Sequence, residues 1–453
     1  MRLTVAILAA GQGTRMRSDL PKVLHPVAGR ALVAEVLCVA RQLVPARLAL
    51  VVGHGAEQVR AVLDELADGV CVVQEPQLGT GHAVAQARPA LEGWGDTVLV
   101  LYGDTPLTRP ETLQALLAQH AAQRAAVTLL TFLPDDPSGY GRIVRDEAGR
   151  VQAIVEQKVA TLEQLAIRES NSGILAFDAA WLWQNLGRLE LSAAGEYYLT
   201  DLVGLAVAQG ETVGSLIAED PTEVMGVNTR LQLAEASAVL FQRRREALML
   251  DGVTMVDPTT VYVGPDVEIG RDSTIYPNVS IERASVGEGC VLGPNSVIRG
   301  AHLGANCTVV AAHILESTLG NGVHVGPFAI VRGGSVLEDG VYLGAGLEIN
   351  RSELSAGAVM SHFGYLGDTI VGEGTNIGAG TVVCNYDGQA KQVTCIGAGA
   401  FIGSDTLLIA PVSVGAGAHT GAGAVVTRDV GRGQTVVGVP ARPLQVKRSD
   451  HME

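Results

Sequence analysis

From Val263 onward, branched apolar residues recur at every sixth position in separate runs: Val263, Ile269, Ile275 and Ile281; Leu319, Val325 and Val331; Val371, Ile377 and Val383; and Ile396, Ile402, Leu408 and Val414. Gly or a small or polar residue follows nearly all of them; Leu408, followed by Ile409, departs from the pattern. Antiparallel strands joined by Gly turns would not hold a period of six through four runs. The pattern instead predicts a left-handed parallel β-helix of hexapeptide repeats, in which each hexapeptide is one short strand plus a turn and three hexapeptides close a triangular coil. At about 18 residues per coil, residues 263–438 make nine or ten coils. One break stands out: Val383 and Ile396 are 13 residues apart, so CNYDGQAKQVTC carries one residue beyond two repeats and must bulge from the prism. Loops carried on a rigid scaffold are where binding groups collect.

The first half reads differently. Up to about residue 228, short β-branched runs (VAILAA, LALVVGH, VCVVQE, TVLVLYGD and AVTLLTF) alternate with helical stretches such as ALVAEVLCVARQL, AEQVRAVLDELA and PETLQALLAQHAAQR. That alternation predicts a Rossmann-like α/β domain with a mostly parallel sheet, binding ligands at the carboxyl ends of its strands. Residues 229–250 lack Gly and Pro and read as a linker helix of about 33 Å. The expected organisation is an α/β domain over 1–228, a linker helix over 229–250 and an all-β domain with a tail over 251–453.

Composition narrows the partners. A net charge of −15 disfavours nucleic acid and anionic membranes, so any phosphate ligand must meet a local basic site. Residues 1–10 mimic a short signal peptide, but their apolar run passes straight into a Gly loop, which suits a first buried strand. No uninterrupted stretch of 18 apolar residues is present to span a membrane. The six cysteines show no C-x-x-C pair or zinc spacing, and a reduced cytoplasm is the expected compartment. Cys384, beside Asn385, reads as a small buried residue.

LAAGQGTRM (8–16) follows the first strand. Gly11 and Gly13 let the backbone approach a phosphate, and Arg15 adds charge. The loop lacks the Gly-Lys-Ser/Thr of a Walker A sequence and the spacing of G-x-G-x-x-G, so neither an ATPase nor a dehydrogenase is indicated. In LPKVLHPVAG, Pro21 fixes the chain before Lys22. Only Lys22, Lys158, Lys391 and Lys447 are lysines in a chain that otherwise uses Arg, which marks Lys22 as a place where a compact ammonium is required.

In order along the first half, LAAGQGTRM, LPKVLH, QLGTGHA, LYGDTPL, YGRI, NSGI, GEYYLTD and GVNTR resemble a sugar nucleotidyltransferase. With the β-helix behind them, the resemblance narrows to the bifunctional N-acetylglucosamine-1-phosphate uridyltransferase/glucosamine-1-phosphate acetyltransferase family. It implies synthesis of UDP-N-acetylglucosamine for cell-wall precursors from acetyl-CoA, UTP and the sugar phosphates. It further implies that Asp104 and Asn228 hold Mg²⁺, a hard ion that otherwise keeps water and phosphate. Leu8, Ala9, Ala10, Gly11, Lys22, Tyr102, Gly103 and Asp104 would line the nucleotide site, Gln74, Gly79 and Thr80 would read the uracil, and Gly141, Glu156 and Asn171 would hold the sugar. Lys22 and Arg15 would act in catalysis with the metal.

In the second half the same resemblance makes His362 of MSHFGYLGD the catalytic base. An amine nucleophile must lose a proton while attacking a thioester, and an imidazole titrates in the required range. Tyr365 lies at the same corner. Asn376, Asn385 and Tyr386 would bind the sugar or orient the base, with Lys391 close by in the bulge. Arg332 would bind the sugar phosphate. Ala379, Ser404 and Ala422 would line the acetyl-CoA groove, and Arg442 would meet a CoA phosphate. Two positions depart from the family: Asn350 stands where a Lys usually joins the arginine on the acceptor phosphate, and Val439 stands where an Arg approaches CoA. These departures leave an alternative, a sugar-1-phosphate nucleotidyltransferase whose β-helix is inactive or differently specific. The flat faces of a triangular prism predict a homotrimer.

Overall fold

The computed structural model describes residues 1–64, 69–193 and 195–444. The end of the expected helix AEQVRAVLDELA, Lys447 and the expected domain's last residues, 445–453, lie outside the described residues. The chain divides into two compact units, Met1–Leu240 and Phe241 onward. The division falls inside a helix, Arg230–Leu250.

The first unit is built on one sheet. Its strands are β1 (Leu3–Ala9), β2 (Arg47–Val52), β3 (Gly69–Val73), β4 (Thr97–Tyr102), β5 (Val127–Phe132), β6 (Arg142–Arg145), β7 (Val151–Val155), β8 (Ser170–Asp178) and β9 (Val213–Ile217). The order is β9-β5-β8-β4-β1-β2-β3, with β6 and β7 hanging from β8. Every residue of β1 is buried, as a central strand covered on both faces requires. Along that order neighbouring pairs are parallel except those of β8, which runs antiparallel between β4 and β5; β6 and β7 also pair antiparallel. This inserted strand, SNSGILAFD, was not expected from the sequence, because its polar start and central Gly hide the apolar run behind them. Helices such as Leu32–Gln42 bury Val33, Val36, Leu37 and Ala40 against the sheet, the spacing of one helical face.

The second unit is a parallel β-helix of three ladders with 12, 10 and 9 strands. Every residue of the sixfold runs lies in one continuous core. Coil length varies slightly along the stack: Thr274 pairs with Val291, Thr308 with His324 and His324 with Tyr342. The expected bulge is present. Strand Val382–Cys384 ends, strand Thr394–Ile396 begins, and between them Tyr386 and Lys391 bridge antiparallel. Asp387 Oδ1 accepts N–H bonds from Gln389 and Ala390 at 2.8 and 2.7 Å, closing the tip. Cys384 is half-buried rather than buried. In Val382–Cys384 only Val383 points inward, because alternate side chains of a strand face opposite sides.

Candidate active sites

In the first unit the site forms where β1 and β4, paired from Leu3↔Thr97 to Leu8↔Tyr102, release their carboxyl ends. Leu8, Ala9 and Ala10 are buried as β1 ends, and Gly103 N–H donates to Leu8 O at 2.9 Å. Asp104 follows directly, its carbonyl accepting from Val227 N–H at 2.9 Å, which brings Asn228 beside it. The Lys22 ammonium donates to the Asp104 carboxylate and, at 3.1 Å, to Asn228 Oδ1. Arg15 Nη2 reaches the same Asn228 oxygen at 2.8 Å. Gly13 adopts φ +64°, and a Cβ there would collide with the Lys22 side chain, so the glycine lets the loop close over the lysine. Gly11 faces open space.

Gln74 Nε2 donates to Gly79 O at 2.9 Å and meets His82 Nδ1 at 3.2 Å. Thr80 Oγ1 accepts from Leu199 N–H at 3.0 Å. Tyr197, which the sequence reading quoted within GEYYLTD without a role, ties the two segments together: its N–H donates to Leu78 O and its carbonyl accepts from Gly81 N–H, each at 2.8 Å. Burial, with the Asp104 charge, pushes the Tyr102 hydroxyl far above its usual range, so it stays protonated. Gly141, Glu156 and Asn171 also come together. Asn171 N–H donates to Gly141 O at 2.8 Å, and the space at Gly141 Cα opens onto Ile154 and the Glu156 carboxylate. Burial raises the Glu156 carboxyl, and the Asp201 charge adds to it.

In the second unit, His362 occupies the corner between strand Val359–Met360 of the 12-stranded ladder and strand Gly364–Gly367 of the 10-stranded ladder. It is exposed, and with Asn376, Ala379, Ser404 and Ala422 it lines a cavity of about 460 Å³. Ser361, Phe401 and Thr420 also line it; the sequence reading gave none of them a role, although the sixfold register places Phe401 on the strand paired with Asn376. Arg332, Asn350 and Tyr365 lie around the corner on the 10-stranded ladder, where Arg332 pairs in register with Asn350 and Glu348 with Tyr365. Arg332 is held by Glu348 at 2.7 Å. Asn350 is only 3% exposed, and its Oδ1 accepts from Arg351 Nη1 at 3.2 Å. Asn385 is buried beside Tyr365, Tyr386 is exposed, and Lys391 stands 5.2 Å over the Tyr386 ring. Arg442 and Val439 are exposed and do not line the cavity.

Residues 5–165 match the family model of the MobA-like NTP transferase domain, and residues 283–312 and 393–428 match that of the hexapeptide repeat of succinyl-transferase. Over 445 residues the chain is 48% identical to the bifunctional protein GlmU of Pelobacter propionicus, covering 98% of this chain and 96% of the relative. The chain belongs to the GlmU family. GlmU proteins of Pseudomonas entomophila and Carboxydothermus hydrogenoformans are 50% and 45% identical, covering 96% and 99% of this chain and 95% and 99% of theirs. As a GlmU family member it is an enzyme with nucleotidyltransferase and acetyltransferase activities.

The GlmU nucleotidyltransferase family implies a divalent metal. Among the described residues no group of three or more His, Cys, Asp or Glu side chains gathers to hold one. What the first site offers is sparer: the Asp104 carboxylate and Asn228 Oδ1 converge on one cationic point, the Lys22 ammonium. Two hard oxygens facing one positive charge fit an oxygen-seeking ion that takes its remaining ligands from water and phosphate. No helix among the described residues is long and apolar enough to cross a membrane.

Proposed function

We propose that the first unit makes UDP-N-acetylglucosamine from UTP and N-acetylglucosamine 1-phosphate, and that the second supplies that acceptor by acetylating glucosamine 1-phosphate from acetyl-CoA, in the cytoplasm. The observation that carries this reading is the division of the chain. Lys22, Arg15, Asp104 and Asn228 mesh at the strand ends of one unit, while His362 shares a cavity with Asn376, Ala379, Ser404 and Ala422 in the other.

In uridyl transfer, an oxygen of the sugar phosphate attacks the α-phosphorus of UTP in line; the new P–O bond forms as the bond to the β-phosphate breaks and pyrophosphate leaves. Lys22 and Arg15 neutralise phosphate charge beside the Gly11–Gly13 loop. Gln74, Gly79 and Thr80 orient the base, and Gly141, Glu156 and Asn171 orient the sugar, so the chain contributes position rather than a covalent intermediate. Asp104 and Asn228 would hold Mg²⁺, which supplies charge neutralisation at the phosphates.

In acetyl transfer, His362 takes a proton from the sugar amine as its nitrogen attacks the thioester carbonyl. The C–N bond forms, the C–S bond breaks, and the thiolate of CoA leaves and is protonated. The small residues Ala379, Ser404 and Ala422 leave room for the pantetheine arm. Arg332 and Lys391 would attract the acceptor phosphate, Asn376 and Tyr386 the sugar or base, and Arg442 a CoA phosphate.

The β-helix faces carry exposed apolar side chains, among them Phe328, Val336, Tyr342, Phe363, Ile370 and Ile409, which supports a homotrimer. Two assays on the purified chain test the reading: pyrophosphate release from UTP with N-acetylglucosamine 1-phosphate, and CoA release from acetyl-CoA with glucosamine 1-phosphate. Failure of either removes the corresponding half. Sedimentation as a 47.1 kDa monomer with full acetyl transfer would remove the trimer.

A further inference from the structure

We propose that Arg351 is a positioning residue of the acetyl-transfer site, acting through Asp368 to fix which end of the Asn385 amide faces the acceptor, and that it is not the cation standing in for the missing lysine at position 350. The proposal rests on the acetyltransferase reading of the second unit.

Arg351 and Asp368 are turn residues of successive coils, each at φ +50°, so their side chains leave the prism at the same corner. The guanidinium grips the carboxylate with two parallel bonds, Nε to Oδ1 at 2.7 Å and Nη2 to Oδ2 at 2.9 Å. Its third nitrogen, Nη1, donates to Asn350 Oδ1 at 3.2 Å. Three of the five N–H donors of Arg351 are therefore engaged with its own chain, and the fork that would grip a phosphate with two parallel bonds is already given to Asp368.

The chain of contacts continues one coil further, because Asn385 Nδ2 donates to Asp368 Oδ2. The Arg351 guanidinium holds the Asp368 carboxyl below its usual range, so it is ionised at neutral pH and acts only as an acceptor. An acceptor-only partner decides the Asn385 amide: the NH₂ end faces Asp368 and the carbonyl oxygen faces away. No hydrogen bond to that Oδ1 is formed among the described residues, which leaves it as the group Asn385 presents. Gly367 completes the arrangement, since a Cβ there would collide with both Asn385 Nδ2 and Tyr365 Oη. The absent side chain is what lets the tyrosine and the amide close on one point.

The test is steady-state acetyl transfer by the full chain carrying Arg351→Met, Asp368→Asn, or both, with pyrophosphate release measured alongside. A positioning role predicts that Arg351→Met lowers kcat for acetyl transfer by about 10–100-fold, with the KM for glucosamine 1-phosphate raised only a few-fold. Asp368→Asn should do likewise, and the double variant should lose no more than the worse single one, because the residues act as one unit. Arg351→Lys, which keeps the charge and loses the fork, should fall between wild type and Arg351→Met and serves if the latter does not fold. Uridyl transfer should not change. An unchanged kcat with a KM raised more than tenfold would make Arg351 a phosphate ligand and overturn the proposal. Additive losses, or no loss, would overturn it as well. A wild-type chain that releases no CoA would fail the acetyltransferase reading itself, a result distinct from active wild type with indifferent variants.

Discussion

Lys22 and Asp104, 82 residues apart in sequence, form an ion pair whose side chains are 12% and 18% exposed. The ammonium thus covers the carboxylate expected to face a metal. When phosphate and metal arrive, Lys22 has a new anion and Asp104 a new cation, so neither charge is left unpaired. Replacing Lys22 with Ala should reduce kcat/KM for pyrophosphate release by about 10–150-fold, the value of one charge-assisted hydrogen bond, and leave CoA release unchanged. Removing divalent ions with a chelator should abolish pyrophosphate release alone, restored by added Mg²⁺. Loss of CoA release under the same treatment would count against the two-site reading.

His362 gives the complementary result. Its exposed imidazole at the coil corner has no role in holding the core, so His362→Ala should leave melting unchanged. CoA release should fall by about 10²–10⁴-fold, the usual size of general-base catalysis, while pyrophosphate release continues. Equal loss of both reactions in folded protein would contradict the assignment.

Glu156 provides a pH-dependent stability test. Burial and then the Asp201 charge raise its folded-state pKa above the unfolded value. A carboxyl shifted upward destabilises the fold once it ionises, so the penalty is absent below the unfolded pKa and grows as pH rises through the folded one. Glu156→Gln should therefore raise the melting temperature of the first unit by about 1–3 °C at pH 8, and the gain should close near pH 4. A gain of equal size at both pH values would rule out ionisation as its cause.

Asn350 stands where the resemblance drawn from the sequence expects a lysine. It pairs in register with Arg332, and its Oδ1 lies over Gly333, where a side chain would otherwise stand. A lysine at 350 has a way out over that glycine, toward the phosphate expected at Arg332. Asn350→Lys should lower the KM for glucosamine 1-phosphate with little change in kcat, because ground and transition states gain the same contact. An unchanged or raised KM would mean that another group already holds the phosphate, or that the natural acceptor differs.

What the sequence disclosed was the part governed by period. The residues of the sixfold runs, from Val263 to Val414, sit in the core because that spacing returns one of them to the inward side of each successive strand. Strands β1 to β5 were legible from their apolar runs, but β6, β7 and β9 were not, and neither was strand Ser170–Asp178, whose antiparallel insertion between two central strands is a tertiary choice. The expected nucleotide residues lie around one strand-end region because the motifs carrying them sit at strand ends. Arg351 was harder to read. Strand alternation alone points it to the face opposite Asn350, and only the positive φ of its turn brings the guanidinium onto Asp368. Asp368 itself gave no separate signal, since its partners come from the preceding and following coils, each 17 residues away.

The Asn385–Val393 excursion also constrains how such a chain can change length. Strand Thr369–Val371 pairs in register with Thr394–Ile396, so the extra residues leave the phase of the coil behind them untouched. Had they been spread along the strands, Ile396, Ile402, Leu408 and Val414 would have rotated toward solvent together. Insertions and deletions in this half are therefore tolerated as whole coils, as excursions that leave and rejoin at one corner, or as the one- or two-residue differences in coil length already present along the stack. New chemistry in a scaffold of this kind must accordingly enter at its corners, and the residues there are free to vary in number as those between them are not.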